Sequence, residues 1–259
     1  MKTIYYSSYT DDVVDSSNQN HKLKKNYKWV HNNPIYIFFA WLLYLFLVYP
    51  VGIIYCKLIL GVTYKNRKIL KNSGIKGYFL YCNHTQPVGD VLMPALAASP
   101  KRIYTVVSPA NFALPIIGRI LTMIGALPTP DSLREFREFR AAYTKRIRQG
   151  HPVVIYPEAH LWPYYTKIRP FSATSFKFPV ELKCPCFSQT VTYQRRKFSN
   201  KPKITIYIDG PFYPEESLNV RDAQQQLHDK VYNTMLNRAT NSTYEYYTYI
   251  EQREENIII

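Results

Sequence analysis

The chain has 259 residues, enough for one α/β domain of ordinary size with an additional segment. Its formal net charge of +15 indicates an anionic partner, such as a membrane lipid, a nucleic acid or a phosphorylated substrate. The four cysteines give no disulfide framework, and two of them lie inside apolar runs, which suits a protein that faces the cytosol. The pair Cys184 and Cys186 offers too few ligands for zinc, so we predict no metal site.

Residues 1–33 form a polar and basic N-terminal tail. Within it, residues 1–28 show no hydrophobic periodicity, and we expect them to be mobile. Three aspartates, Asp11, Asp12 and Asp15, precede the next apolar run, and no small-residue cleavage site follows that run. The sequence therefore does not predict a signal peptide.

An apolar segment without any charged residue runs from Pro34 to Cys56. Its length approaches the roughly 20 apolar residues that span a bilayer as a helix, and we predict a membrane-associated segment over residues 34–62. Basic residues on both sides favour the same anionic, cytoplasmic leaflet for both ends. We expect a monotopic segment that enters and leaves on one side, kinked or folded into a shallow hairpin at Pro50 and Gly52. A true span and a buried core helix are the alternatives.

Residues 63–240 form the predicted main domain, in which short apolar runs alternate with helical patterns. Strands are predicted over 77–82, 103–108, 152–157, 187–193 and 203–209, and helices over 90–98, 115–124, 132–149 and 219–238. Ser132 and Glu135 form a capping box at the start of the third helix, and Gly150 ends it. The alternation predicts an α/β layered fold with a largely parallel sheet flanked by helices, preceded by the membrane-associated helical segment. For the Tyr-rich C-terminal tail, 241–259, the sequence predicts no structure.

Two polar clusters follow predicted strands, where α/β folds place their functional sites. The first contains His84 and Asp90, and the second contains Glu158 and His160. A histidine held by a carboxylate can take a proton from a hydroxyl, because the carboxylate fixes its tautomer and stabilises the imidazolium. We therefore predict that His84 and Asp90 catalyse group transfer to an alcohol, although Asp90 would also serve as a helix N-cap.

The other polar residues allow several roles. Cys82 is the rival nucleophile, but a cysteine inside an apolar strand is expected to be buried and unreactive. Glu158 could accept a hydrogen bond from a substrate hydroxyl or hold a loop shut. Lys167 and Arg169, in the aromatic segment that follows, are predicted to bind a phosphate.

Residues 74–210 resemble the 1-acylglycerol-3-phosphate (lysophosphatidate) acyltransferases and the wider glycerolipid acyltransferase superfamily. Four blocks occur in the family's order: the His–Asp block at 83–90, a second block at 118–131, the Pro-Glu-Gly-Thr block with its basic stretch at 157–172, and a proline-containing block at 183–187. Three details differ. The family separates its histidine and aspartate by four residues, whereas five intervene here. Asp131 stands where the family has an arginine, and Ala159-His160 replaces Gly-Thr.

The resemblance implies a membrane enzyme at the cytoplasmic face that moves a fatty acyl chain from acyl-CoA or acyl carrier protein to a lysophospholipid hydroxyl. It implies that His84 is the base, that Asp90 orients it, and that no metal or bound cofactor is needed. Glu158, His160, Lys167 and Arg169 would bind substrate. Anionic membrane lipids are expected partners, and nucleic acid is not, because the basic residues are spread along the chain without a recognised motif. The alternatives are another lipid acceptor and a catalytically inactive basic scaffold that binds membrane or lipid.

Overall fold

The computed structural model describes residues 2–14, 21–115 and 117–252. The strands are β1 (Lys2–Tyr6), β2 (Thr63–Lys65), β3 (Phe79–Cys82), β4 (Tyr104–Val107), β5 (Ala126–Pro128), β6 (Val153–Ile155), β7 (Cys186–Arg196), β8 (Ser199–Phe212) and β9 (Tyr247–Glu251). The α-helices are α1 (Pro34–Leu43), α2 (Tyr49–Ile53), α3 (Ile69–Asn72), α4 (Gly89–Ala98), α5 (Ile117–Ile124), α6 (Leu133–Arg148), α7 (Lys177–Leu182) and α8 (Val220–Ala239).

Seven strands form one sheet in the order β2-β8-β7-β3-β6-β4-β5. The five strands from β7 to β5 are mutually parallel, whereas β8 runs antiparallel to its neighbour β7 and β2 is parallel to β8. All five predicted strands of the main domain are present, and β2 and β5 are additional short strands. The predicted α/β fold with a largely parallel sheet is confirmed.

Helices cover both faces of the sheet, which explains why its central strand is apolar throughout. In β3, Leu80 and Cys82 face a core shared with α4 and the apolar segment, whereas Phe79 and Tyr81 face a core shared with α6 and α8. All four of these β3 side chains are fully buried. Parallel strands buried on both faces carry such continuous apolar runs rather than an alternating pattern.

The apolar segment is one continuous helix, Pro34–Ile59, which we call the apolar helix. It comprises α1, α2 and two π-helical stretches, Tyr44–Val48 and Ile54–Ile59, so the expected shallow hairpin at Pro50 and Gly52 is not formed. By length and composition alone, it could cross a membrane. Its N-cap is Asn33, whose side chain accepts hydrogen bonds from the backbone of the first turn.

A single stripe of the apolar helix packs against the domain. The buried positions recur every fourth residue and are Ala40, Tyr44, Val48, Gly52 and Cys56. A four-residue repeat would drift around a regular helix of 3.6 residues per turn. The wider π-helical turns, with hydrogen bonds five residues apart, correct that drift and keep the stripe on one face. Most other side chains of the helix are exposed and apolar, among them Phe38, Trp41, Phe46 and Leu58.

The N-terminus is more ordered than its sequence predicts. Strand β1 pairs in parallel with β9, so that residues near both ends of the chain form a separate two-stranded sheet. Tyr6 and Tyr249 pack against the buried Trp162, with ring centroids 4.6 and 5.1 Å from the indole. The expectation that residues 1–28 are mobile is therefore wrong for Lys2–Tyr6, because aromatic contacts from distant parts of the chain hold this strand.

Candidate active site

The candidate site begins where β3 ends. Asn83, directly after the strand, is buried and clamps this end to the neighbouring strand β7. Its side-chain oxygen accepts from the backbone N–H of Val191 at 2.8 Å, and its amide nitrogen donates to the Val191 carbonyl at 3.1 Å. The position of the following residue, His84, is therefore fixed by hydrogen bonds across the sheet.

His84 and Asp90 are in direct contact. Nδ1 of His84 lies 2.7 Å from Oδ2 of Asp90, which is buried in the first turn of α4. The same Oδ2 accepts from the backbone N–H of Gln86 at 2.9 Å, so the loop between them curls around the carboxylate. The five intervening residues are accommodated within this loop. Burial raises the pKa of Asp90, and hydrogen bonds from His84 and Gln86 partly offset that shift.

The environment of His84 suits a base. With Asp90 holding Nδ1, the neutral imidazole presents the lone pair of Nε2, and none of the residues in the described ranges is hydrogen-bonded to that nitrogen. The side chain is 24% exposed, so it is reachable from solvent. One side of the ring packs on Tyr156, with centroids 4.6 Å apart. The geometry therefore leaves one ring nitrogen available for proton transfer.

Glu158 connects the two polar clusters from inside the protein. Its Oε2 accepts from the backbone N–H of His84 at 3.0 Å and from the guanidinium of Arg169 at 3.2 Å. Its Oε1 accepts from the backbone N–H of Arg169 at 3.0 Å. Both side chains of this ion pair are essentially inaccessible to solvent. Of the two roles open to Glu158, its position is that of a residue that holds a loop, since it braces the backbone of His84.

Hydrogen bonds with β7 and with residues 162–164 also hold the loop that follows His84. The hydroxyl of Tyr193 lies 2.7 Å from Oγ1 of Thr85 and accepts from the side-chain amide of Gln86 at 3.0 Å. The backbone N–H groups of Trp162 and Tyr164 donate to the carbonyls of His84 and Thr85, respectively. These bonds give the loop a single, well-supported conformation.

Arg169 is covered by the N-terminal segment. Its guanidinium donates to the carbonyls of Tyr9 and His160 and lies 4.7 Å from the Trp162 ring centroid. The Trp162 indole N–H donates to the carbonyl of Asp11 at 2.9 Å. Direct contact between Arg169 and a substrate phosphate would thus require residues 9–12 to leave this position.

The predicted site residues therefore divide into three groups. His84 and Asp90 touch each other, and Glu158 and Arg169 support them from the interior. His160 is hydrogen-bonded through Nδ1 to the carboxylate of Asp12 on the N-terminal segment. Lys167 is exposed and forms no ion pair within the described parts of the chain. The substrate-binding roles of Glu158, His160, Lys167 and Arg169 stay predictions.

Three supporting residues had no distinctive feature in the sequence. Tyr193 lies within a predicted strand, where nothing separates it from other strand tyrosines. Tyr156 precedes the second polar cluster, and only its position beside Pro157 points to it. Trp162 becomes central only because residues from both chain ends pack on its ring.

Cys82 does not compete with His84 as a reactive group. Its side chain is fully buried, and burial raises the pKa of its thiol well above the usual range. A neutral, inaccessible thiol is a poor nucleophile. Across the described residues, no group of three or more potential ligands is placed to hold a metal ion.

Comparison with known proteins found a matching family and a solved structure with a similar fold. Residues 61–192, more than half of the chain, match the family model described as Acyltransferase. The fold is similar to the crystal structure of PlsC, the 1-acyl-sn-glycerophosphate (LPA) acyltransferase from Thermotoga maritima, with a TM-score of 0.54 at 13% sequence identity. That match covers 81% of this chain and 96% of PlsC, and at such low identity it shows a shared fold alone. None of the curated proteins matches the chain.

Proposed function

Because this chain belongs to the acyltransferase family, we propose that it moves a fatty acyl group from a thioester to the free hydroxyl of a lysophospholipid. The donor is acyl-CoA or acyl carrier protein, the acceptor is 1-acylglycerol 3-phosphate, and the product is phosphatidate. The observation that carries the proposal is the 2.7 Å contact between His84 and Asp90 at the carboxyl end of β3. This contact also speaks against an inactive scaffold, because it forms despite the additional residue between them.

In the proposed mechanism, Nε2 of His84 removes the proton from the acceptor hydroxyl, and Asp90 stabilises the resulting imidazolium through Nδ1–H. The alkoxide attacks the thioester carbonyl to form a tetrahedral intermediate. Collapse of that intermediate breaks the carbon–sulfur bond and forms the ester. The departing thiolate takes the proton from Nε2, which returns His84 to its neutral form without an acyl-enzyme.

The identity of the acceptor is tested by a panel of lysolipids with one labelled acyl donor. We expect 1-acylglycerol 3-phosphate to give a higher kcat/KM than lysophosphatidylcholine or glycerol 3-phosphate. Preference for one of those acceptors would leave acyl transfer intact and replace the substrate assignment.

Lys167 is the exposed cation that we assign to the acceptor phosphate. Lys167→Gln is expected to raise KM for 1-acylglycerol 3-phosphate several-fold while kcat stays nearly constant, because a charge-assisted contact to an unreactive part of the substrate is lost. The matched control is Lys203→Gln, another exposed lysine, which should leave both constants unchanged. Equal KM values for the two variants would show that Lys167 does not bind the acceptor phosphate.

We propose a monotopic, membrane-bound enzyme at the cytoplasmic face, and the packing of the apolar helix supports the monotopic arrangement. Its buried stripe from Ala40 to Cys56 runs for about 24 Å at 1.5 Å per residue. A helix that spans the bilayer would pull the attached domain into the hydrocarbon core, where exposed polar groups are unfavourable. A helix lying in the interface instead places its exposed Phe38, Trp41 and Phe46 in the lipid.

Trypsin treatment of sealed vesicles tests this orientation. Basic residues precede the apolar helix at Lys22–Lys28 and follow it at Lys65–Lys68. We expect cleavage in both regions from the same side, while a marker protein enclosed in the vesicles stays intact. Cleavage of the two regions from opposite sides would establish a membrane span and contradict the interfacial arrangement.

A further inference from the structure

A second candidate site lies at the amino ends of the parallel strands, whereas His84 lies at their carboxyl ends. A partly open cavity of about 620 Å³ is lined by the first half of the apolar helix and by residues at the amino ends of β4 and β6. Arg102 and His151, which line it, each lie two residues before one of these strands. Strands β3, β4 and β6 are parallel. Residues that precede β4 and β6 therefore lie at one end of these strands, and His84, which follows β3, lies at the other end. The cavity is therefore separate from the candidate active site.

The cavity wall is strongly positive. It contains Lys101, Arg102 and Arg146 and the histidines His31 and His151, but no aspartate or glutamate. None of the three cations forms an ion pair with a carboxylate in the portions of the chain that the structure describes. The nearby carboxyl end of α6 contributes a partial charge of roughly −0.5, which is smaller than any one of these charges. An anion is the natural counterpart of this wall.

Two donor nitrogens of the wall, Nε of Arg102 and Nε of Arg146, are buried, and neither finds a hydrogen-bond acceptor among the described residues. Burial lowers the pKa of Arg146, and burial with the charges of Arg102 and Arg146 lowers the pKa of His151. Buried donors without acceptors and positive charges without counter-charges are both unfavourable, and an anion in the cavity would offset the charge repulsion between Arg102 and Arg146.

Aromatic rings hold the two arginines in place. The guanidinium carbons of Arg102 and Arg146 lie 5.0 and 4.5 Å from the ring centroid of Tyr104. Arg102 is also 5.7 Å from the Tyr44 ring and donates to the carbonyl of Met123. Because these contacts order the guanidinium groups beforehand, less conformational entropy is lost when a phosphate binds between them.

The apolar helix also contributes to the lining of the cavity. Tyr36, Trp41 and Leu45 of the apolar helix contribute to it, and Trp41 and Leu45 are also exposed at the surface that we place in the membrane. A ligand for this cavity would therefore carry negative charge at one end and hydrocarbon at the other. Free phosphate satisfies only the first condition.

We propose that this cavity binds the phosphate headgroup of an anionic phospholipid, with Arg102 and Arg146 at the phosphate and the lipid chains along Tyr36, Trp41 and Leu45. The inference rests on the membrane-bound arrangement of the proposed function and is independent of acyl transfer. Such a lipid would anchor the domain near the amino ends of β4 and β6, remote from His84. It would fix the orientation of the domain on the bilayer and leave the active site free for the acceptor.

Quenching of tryptophan fluorescence by brominated lipids tests the site, because Trp41 lines the cavity whereas Trp29 and Trp162 are buried elsewhere. The full-length chain is bound to vesicles of phosphatidylcholine with a minor fraction of phosphatidylglycerol, and either lipid is brominated at the same mole fraction. We expect brominated phosphatidylglycerol to quench more strongly. The Arg102→Gln/Arg146→Gln variant should abolish that excess, and each single variant should reduce it.

The matched control is Lys201→Gln/Arg221→Gln, which removes two positive charges from exposed positions outside the cavity and should keep the excess. If the control variant and the cavity variant lost the excess quenching equally, the excess would reflect general attraction between charges, and the proposal would be overturned. The proposal would also be overturned if the wild type showed no excess quenching by brominated phosphatidylglycerol. The single arginine variants keep the test valid where the double variant does not fold.

Two further measurements distinguish the alternatives. In neutral detergent, inorganic phosphate at constant ionic strength is expected to leave the Tm unchanged. A rise in Tm that depends on Arg102 and Arg146, without a preference for phosphatidylglycerol, would assign the cavity to free phosphate instead. The His84→Ala variant should keep the excess quenching, so a failure of acyl transfer and a failure of this site are observed separately.

Discussion

Replacement of His84 by alanine is expected to lower kcat/KM for acyl transfer by about 10²–10⁴-fold, the range that general-base catalysis contributes. Asp90 holds Nδ1 of His84 at the end of β3, and Nε2 of His84 has no competing hydrogen-bond partner in the described structure. Without it, the acceptor hydroxyl keeps its proton and attacks the thioester slowly. The measurement is the initial rate of ester formation at several concentrations of 1-acylglycerol 3-phosphate, with Tm and vesicle binding unchanged.

The control for this variant is another histidine with a carboxylate partner. Nδ1 of His228 lies 2.7 Å from Asp229, and its ring packs between Phe171 and Tyr232 on the face of the sheet covered by α8. His228→Ala is expected to lower the Tm through lost packing rather than to lower kcat/KM. Activity retained by a folded His84→Ala variant would preserve the enzyme assignment and refute the proposed mechanism.

Glu158→Gln is expected to destabilise the protein by about 3–5 kcal/mol, as found when one partner of a buried ion pair is removed. The amide keeps the shape of the carboxylate but leaves the inaccessible guanidinium of Arg169 without a counter-charge. A loss of 3 kcal/mol corresponds to a fall in Tm of roughly 6–12 °C for a chain of this size. Thermal unfolding in detergent, followed by circular dichroism, measures the effect.

An exposed ion pair serves as the comparison. Arg140 lies 3.3 Å from Glu181 with about half of its side chain exposed, and Arg140→Gln should change stability by less than about 1 kcal/mol. If Glu158→Gln instead left the Tm unchanged and raised KM for the acceptor, Glu158 would be a substrate ligand. The KM and Tm readouts therefore separate binding from the support of His84.

The sequence was sufficient to predict that His84 and Asp90 lie together, because the two residues are close along the chain. His84 and Asp90 flank one short loop between a strand and a helix, so the register of β3 and the start of α4 bring them together. The additional residue in that loop is accommodated because the backbone N–H of Gln86 turns toward the Asp90 carboxylate. The strand and the helix that flank the loop thus predicted the contact between His84 and Asp90 better than the number of residues between them.

The surroundings of the pair could not be predicted in the same way, because they depend on contacts between distant residues. Arg169 has the sequence context of an exposed phosphate ligand, yet its guanidinium is buried and donates to Glu158 and to the carbonyl of Tyr9 in the interior. The ordering of β1 likewise depends on β9 and on Trp162, none of which is near it in sequence. No local pattern encodes such pairings.

The apolar helix illustrates an intermediate case. Its length and composition predicted a membrane-associated segment, but the charge pattern could not distinguish a continuous helix from a hairpin. The helix packs on the domain through the four-residue stripe of buried positions, which depends on π-helical turns that sequence periodicity does not reveal. The same turns bring Tyr44 of the helix to the guanidinium of Arg102.

The most direct test of acyl transfer is product analysis with the purified full-length chain in detergent. Labelled acyl-CoA and labelled acyl carrier protein are each incubated with 1-acylglycerol 3-phosphate, side by side with the His84→Ala variant. We predict that the wild type converts the label to phosphatidate with at least one donor and that the variant does not. If the label stays on both thioesters with this acceptor and with every other lysolipid, the chain is not the acyltransferase described above.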